Sequence, residues 1–185
     1  MGTLSYSMHT TLDGYIEDAT GSFDWGAPDE EQHRVSNQQV ADTAALLFGR
    51  RMYETMEEFW TAPERADGEE VEAEFARIYS ATPRIVFSDT LTSVADGCRL
   101  VRRSDAVAEV QRLKKEIDGR LHVNGPGLVA SLADLVDEVE PFVLPVTVGG
   151  GKPFYPLGVR WDLTLVEHRV YPASGVAYLR YLVNR

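Results

Sequence analysis

The sequence predicts an α/β fold: a mixed, mostly parallel sheet with helices on both faces, closed by a C-terminal antiparallel hairpin. Three observations carry this. Strand-like and helix-like patterns alternate through most of the chain, as in successive β-α-β units. Two short apolar runs, residues 44–48 and 121–124, pass directly through a glycine turn into a helical pattern. Finally, residues 161–171 and 175–183 alternate on either side of Pro172-Ala173-Ser174-Gly175, which reads as a hairpin. With 185 residues, 44% of them hydrophobic, and no repeat or interdomain linker, a single domain spanning 1–185 is expected.

Element by element, Leu4 to Met8 alternates and predicts the first strand. Residues 11–27 form a long loop rich in Gly, Asp and aromatic residues, and loops of this length inside a domain are commonly functional. Pro28 is placed to open a helix that runs to Thr43, with Asp29, Glu30 and Glu31 at its positive end. Residues 44–48 are a buried strand stopped by Gly49. Met52, Tyr53, Met56, Phe59 and Trp60 then share one helical face. A third, acidic helix is expected over 67–80, ended by Pro83, with 62–70 as the nearest thing to a flexible segment. Strands follow at 84–88 and 99–102. Ser104 is the expected N-cap of the next helix and Gly119 its close. The strand at 121–124 runs into Gly125-Pro126-Gly127 and a helix reaching Val136. The run 139–148 is a strand with Pro141 and Pro145, which predict bends or an edge position. Gly149-Gly150-Gly151 permits a tight excursion before the hairpin.

Charge and composition exclude several functions. A formal net charge of −11 disfavours a nucleic-acid binder. It leaves room for an anionic cofactor, because local arginines hold phosphates on an acidic protein. A lone cysteine, Cys98, rules out an internal disulfide and a cysteine-based zinc site. The four histidines, His9, His33, His122 and His168, lack metal-ligand spacing and read as ordinary core or surface residues. No apolar run approaches the ~20 residues of a membrane span, and residues 1–10 lack the regions of a signal peptide. The cytoplasm is the expected address.

The chemistry-bearing pattern is positional. Ligands of open parallel sheets bind beyond the carboxyl ends of strands. Two such ends carry glycine here: Gly49-Arg50-Arg51 and Gly125-Pro126-Gly127. At the first, helix-start amides and two arginines face an incoming anion, unless the arginines are merely a solvated helix start. At the second, glycine lets backbone approach a pyrophosphate closely. Neither has the spacing of a Rossmann fingerprint or a P-loop. Together they point to a phosphorylated cofactor, and the arginines favour a 2′-phosphate and hence NADP over NAD.

At these residues the sequence resembles the dihydrofolate-reductase-like superfamily. Within it, the chain is similar to stand-alone relatives of the reductase domain of the bifunctional riboflavin-biosynthesis deaminase–reductase. The resemblance is carried by Ser7-Met8-His9-Thr10-Thr11-Leu12-Asp13-Gly14-Tyr15-Ile16, by Leu47-Phe48-Gly49-Arg50-Arg51-Met52-Tyr53-Glu54 with Trp60, by Val123-Asn124-Gly125-Pro126-Gly127-Leu128, and by Leu135-Val136-Asp137-Glu138 followed by residues 145–154. It implies a three-layer αβα fold, NADPH lying across the strand ends, and hydride transfer to a C=N or C=O group of a small heterocycle such as 5-amino-6-(5-phosphoribosylamino)uracil or a pterin. It further implies that Gly49, Arg50 and Arg51 receive the adenosine-side phosphates. Ser88 would contact the cofactor near the adenosine ribose, and Gly125, Pro126, Gly127 and Leu128 would form the pyrophosphate turn. Asp13 and Gly14 would lie in the loop over the nicotinamide, with Trp25 at its far end, and a homodimer is implied. The superfamily often carries paired glycines at the second turn, joined in dihydrofolate reductases by a cis peptide. Gly125–Pro126 is therefore expected to be cis, a form that costs at most ~1 kcal/mol before proline.

Hydride chemistry leaves the protein to position and protonate. Dihydrofolate reductases use an acid on the first helix. Here that helix offers Asp29, Glu30 and His33, then Asn37, Gln38 and Gln39, with no acid in an apolar setting. Asp13 is the candidate catalytic residue, or else a turn-forming Asp-Gly pair. Phe23 and Trp25 wall the nicotinamide or cover the core, and Lys152 is a candidate for a substrate phosphate. The zinc signature of the deaminase half, His-x-Glu with Pro-Cys-x-x-Cys, does not occur. The alternative to an enzyme is a dimeric nucleotide-binding module without turnover. The aromatics of the hairpin, Trp161, Tyr171, Tyr178 and Tyr181, serve either a dimer or the core.

Overall fold

The computed structural model describes residues 1–185 apart from the side chain of Ala66. Its order is β1 (Thr3–Thr11), β2 (Tyr15–Asp18), α1 (Glu30–Ala41), β3 (Thr43–Gly49), α2 (Arg50–Trp60), α3 (Pro63–Ala66), α4 (Glu70–Ala81), β4 (Arg84–Phe87), β5 (Cys98–Val101), α5 (Ala106–Glu116), β6 (Arg120–Asn124), α6 (Pro126–Ser131), β7 (Glu138–Leu144), β8 (Gly151–Pro153), β9 (Asp162–Tyr171) and β10 (Val176–Asn184). Eight strands form one sheet in the order β5-β4-β3-β6-β1-β7-β10-β9. The first six run parallel, and the β9–β10 hairpin adds antiparallel strands beside β7. This is the mixed sheet the patterns predicted.

Strand alternation decides which helices cover which face. Leu4, Tyr6, Leu47, Leu121 and Val123 point to one side, where α5 and α6 bury Val110, Leu113, Leu128 and Val129 against them. Leu46, Phe48 and Val86 point to the other, under α1, α2 and α4. A separate cluster on Phe142, Leu144, Tyr171 and Tyr178 packs Val35 of α1 and Trp25. Between these last two clusters the sheet is polar. Ser5 and Ser7 of β1, His122 of β6 and Glu140 of β7 are all buried there. The chain also divides at this point. From β1 it passes through α1 to β3, and from β6 through α6 to β7 on the opposite side of β1. Such a switch is where α/β sheets open a crevice.

Several boundaries differ from expectation, each for a local reason. The first helix starts at Glu30 because Asp29 caps it, accepting from Gln32 N at 2.9 Å. It ends at Ala41, and Thr43 opens the next strand. The segment 62–70 holds the short α3, which displaces the start of the acidic helix to Glu70. Ser104 does not cap α5: its Oγ is 3.4 Å from Asp105 Oδ1, and a single 3-10 turn at Arg103–Asp105 leads into the helix. That helix closes before Gly119, where Ile117 N donates to Leu113 O at 2.8 Å. The helix after the second glycine turn stops at Ser131, and a 3-10 turn at Ala133–Leu135 completes the connection.

The long loop contains β2, which pairs with β8 of the triple-glycine segment. Gly151 is obligatory there, because a Cβ would meet Glu17 O at 2.0 Å. Pro141 lies inside a central strand rather than at an edge. On the β10 side the pairing skips from Phe142 to Val139, so no ladder bond is asked of the missing N–H.

The Gly125–Pro126 bond is trans, against expectation, since no cis peptide occurs among the described residues. Gly125 makes the turn in its own backbone at φ +92°. A trans Pro126 then enters α6 at its first position, where no N–H is needed.

Candidate functional site

The two glycine turns leave neighbouring parallel strands, with Phe48 paired to Asn124. They end side by side: a Cβ on Gly49 would lie 3.7 Å from Leu128 Cβ, and one on Gly125 would lie 3.5 Å from Met52 Cβ. Both open onto a cavity of about 1390 Å³ on the α1 side of the sheet. Single-ligand pockets are typically ~300–1,000 Å³, so this one has room for two. Gly49, Arg50, Arg51, Gly125, Pro126, Gly127, Leu128 and Trp25 all line it.

At the turns, Gly49 is the N-cap of α2, eleven residues long, and offers no side-chain cap of its own. The first amides of α2 are therefore open to an acceptor, and the dipole favours an anion. Arg50 and Arg51 are exposed, and among the described residues neither has an ion-pair or hydrogen-bond partner. Around Gly127 a Cβ would meet nothing within 4 Å. The Leu128 N–H is spent on Gly125 O at 3.2 Å, so it is not the open donor that the second turn suggested.

Sequence reasoning missed Arg103. It follows β5, donates to Gly127 O at 2.7 Å, and lines the same cavity. Its signal was present in Arg102-Arg103, a second arginine pair at the end of a strand in an acidic chain.

Two predicted residues go elsewhere. Ser88 is buried just past β4, where its Oγ accepts from Thr90 N and Leu91 N at 3.2 and 3.1 Å. It fastens its own loop and does not line the cavity. Asp13 is exposed and also outside the lining. It accepts from Thr11 Oγ1 at 2.5 Å, from Gly149 N at 2.8 Å and from Val148 N at 3.1 Å. The Thr11 hydroxyl, then these backbone donors, hold its carboxyl below the usual range. Asp13 thus ties the end of β1 to the glycine-rich segment, which is the turn-forming alternative. Lys152 lines the cavity in an ion pair with Glu17 at 2.7 Å.

Three histidines, read as ordinary from their spacing, converge on the cavity from three elements: His9 from β1, His33 from α1 and His122 from β6. Burial, and then proximity to His33, pull His9 down to about 4, partly offset by the Gly26 backbone. Burial, and then Arg120, pull His122 down to about 4. His33 Nδ1 lies 3.0 Å from Asn37 Oδ1. Asn37 Nδ2 donates to Val71 O and Glu74 Oε2, at 3.0 and 2.8 Å, so Oδ1 is the acceptor. Nδ1 of His33 therefore carries a proton. Trp60, Phe75, Phe142 and Trp25 wall this end.

The RibD C-terminal domain family matches residues 3–176. An uncharacterized protein of Bacillus subtilis (strain 168), YyaP, is 29% identical over 178 residues, covering 94% of this chain and 91% of the relative. A putative riboflavin biosynthesis protein from Shewanella sp. PV-4 superposes with a TM-score of 0.72 at 22% identity, covering 99% of each chain. A dihydrofolate reductase from Enterococcus faecalis, complexed with NADP(H) and RAB-propyl, superposes with a TM-score of 0.65 at 15% identity, covering 99% of this chain and 97% of that one.

Proposed function

The chain belongs to the RibD C-terminal domain family, and on that premise we propose that it is an NADPH-dependent reductase of a small heterocycle bearing a C=N or C=O group. One observation carries the reading. Two glycine turns end adjacent strands side by side, with Arg50, Arg51 and Arg103 around them, at one end of a cavity large enough for a cofactor and a second ligand. These residues fit a phosphorylated dinucleotide. The open amides of α2 and the two unpaired guanidiniums would hold its phosphates, and Arg103, fixed to Gly127, would close the site beside them. The nicotinamide supplies a hydride when bound. The NADP(H) held by the structurally similar dihydrofolate reductase supports the same choice.

The chain's own part is to bind, to exclude water and to deliver a proton. Aromatic walls and α1 shield the far end of the cavity. His33, with Nδ1 occupied by Asn37, gives and takes a proton at Nε2. A titration of protein fluorescence with NADPH tests the cofactor, with saturation and a preference over NADH expected. No saturable signal at millimolar NADPH would overturn the reading.

A second reading, a nucleotide-binding module without turnover, draws on one fact: no carboxylate is among the buried residues of the cavity wall. NADPH that binds, yet is never oxidised across pterin, pyrimidine and flavin substrates, would favour it.

The same proposal includes a homodimer through the hairpin. β9 is an edge strand, and Leu165, Val166, Val170 and Leu182 are exposed by 48, 43, 61 and 40%. Edges and patches of this kind are normally covered. Light scattering should give twice the chain mass, and Val170→Glu should halve it. A wild-type monomer would refute the dimer.

A further inference from the structure

Behind His33, a chain of side chains runs from α1 to α4. His33 and Asn37 stand four residues apart on α1 and so share a face of the helix. Nδ1 of His33 lies 3.0 Å from Asn37 Oδ1. Asn37 is 3% exposed, and a buried amide costs stability unless its polar atoms are paired. Its Nδ2 donates to Val71 O at 3.0 Å and to Glu74 Oε2 at 2.8 Å, both on α4. A carbonyl and a carboxylate only accept, so the amide cannot turn over without setting oxygen against oxygen at two contacts. Oδ1 is thereby fixed toward the imidazole.

The plane of the ring is fixed as well. Trp60 of α2 and Phe75 of α4 meet it edge-on at 5.7 and 5.6 Å, with interplanar angles of 81° and 88°. His33 lines the cavity. Its Nε2 has no partner among the described residues and is not one of the unpaired atoms sealed from solvent, so the cavity reaches it. His9 of β1 lies close enough to feel a charge on His33. Burial first, then that charge, pull His9 down to about 4, partly offset by the Gly26 backbone. His9 is therefore neutral at pH 7 and does not oppose a proton on His33.

An acceptor at Nδ1 suits both protonation states of the ring. Neutral His33 keeps its one hydrogen on Nδ1 and shows a bare Nε2. Protonated His33 keeps the same Nδ1–H and adds a hydrogen at Nε2. A proton can come and go at Nε2 with no rearrangement behind the ring. A donor at Nδ1 would do the opposite, forcing the neutral hydrogen onto Nε2 and repelling the imidazolium.

We propose that Asn37, anchored by Val71 and Glu74, is the positioning residue of this site: it holds His33 in the tautomer that presents a bare Nε2 to the cavity, where a proton is exchanged with the substrate. The exchange rests on the reductase reading; the tautomer rests on the geometry alone. In the reduction, the proton leaves Nε2 for the substrate nitrogen or oxygen, the N–H electron pair stays on the ring, and solvent restores the imidazolium. Both electrons of the reduction arrive with the hydride.

The test reads the tautomer directly by NMR of the full chain, with heavy nitrogen in its histidines. There are four of them, and His33→Gln identifies the signal of His33. At about pH 9, where imidazoles are neutral, the nitrogen shifts should show Nδ1 protonated and Nε2 bare. Asn37→Leu should move most of the population to the Nε2–H form. Asn37→Asp, which keeps an oxygen in place, should retain the wild-type tautomer. Both variants should hold the Kd for NADPH within twofold, which shows the fold intact. Against whichever of the pterin, pyrimidine and flavin substrates the wild type reduces, Asn37→Leu should lower kcat at least about tenfold with KM within about threefold, and Asn37→Asp should recover most of it. A wild-type His33 protonated at Nε2 overturns the inference with no variant needed. An unchanged tautomer or an unchanged kcat in Asn37→Leu overturns it too. NADPH that binds and is never oxidised sinks the reductase reading, while an Nδ1–H tautomer lost in Asn37→Leu still upholds the role of Asn37.

Discussion

The two glycine turns look equivalent in the sequence and are built differently. Gly49 sits at φ −78°, which any residue adopts, at the head of an eleven-residue helix with two free arginines. Gly125 sits at φ +92°, which L side chains rarely adopt, and opens a six-residue helix through a proline. The first glycine is there for open space and exposed amides, the second for backbone shape. The first turn therefore acts through binding and the second through stability, and substitutions at each should separate the two effects.

The largest effect is expected at the first turn. Arg50→Ala with Arg51→Ala should weaken NADPH by about 100-fold, the loss of roughly 3 kcal/mol expected for two charge-assisted phosphate contacts. Preference over NADH should fall with it. Both side chains are exposed and without partners, so the urea midpoint should stay put. An unchanged Kd would remove the phosphate role and with it the contrast between the turns.

The strand that ends in the second turn carries His122, whose titration is a matter of stability. Its folded pKa is about 4 against an ordinary 6.5. Between those values the unfolded chain binds the extra proton, so stability is full above pH 6.5, falls as pH falls, and levels off below about 4. A shift of this size corresponds to roughly 3 kcal/mol. His9 titrates over the same window in the same direction. Urea melts at pH 7 and pH 5 should show the loss, and His122→Phe should remove about half of the slope. A flat wild-type profile would mean that these rings are not held neutral by burial.

What could be read from the sequence follows the range of the interactions. The first turn was legible because strand end, glycine, arginines and helix are consecutive. Strand β2 was not, because Tyr15 to Asp18 form a strand only against residues 151–153, far along the chain. The grouping of His9, His33 and His122 around one cavity was hidden for the same reason: three elements bring them together, and spacing along the chain carries no trace of that. Arg103 reaches Gly127 across 24 residues. Asp13 was visible as a polar loop residue. Its partners, Val148 and Gly149, lie over 130 residues away and turn it from a site candidate into a clamp. The fold class itself was legible, because alternation and helical periodicity are local signals repeated in every element.

The second turn should respond to Gly125→Ala by losing about 2 kcal/mol, since a side chain is forced into a glycine-only region of backbone space. For a chain of this size that is a Tm drop of about 4–8 °C.

The smallest effect, and the sharpest test of the contrast, is Gly49→Ala. The backbone conformation is ordinary, and the added Cβ meets Leu128 Cβ at 3.7 Å, a normal van der Waals distance. Stability should change by no more than about 0.5 kcal/mol. The methyl group would stand beside the α2 amides, so NADPH affinity should fall while Tm holds. The Gly125→Ala variant should show the reverse balance, a lower Tm with most of the affinity kept. If Gly49→Ala destabilises as much as Gly125→Ala, the first turn is also a backbone requirement, and its glycine says nothing about a ligand.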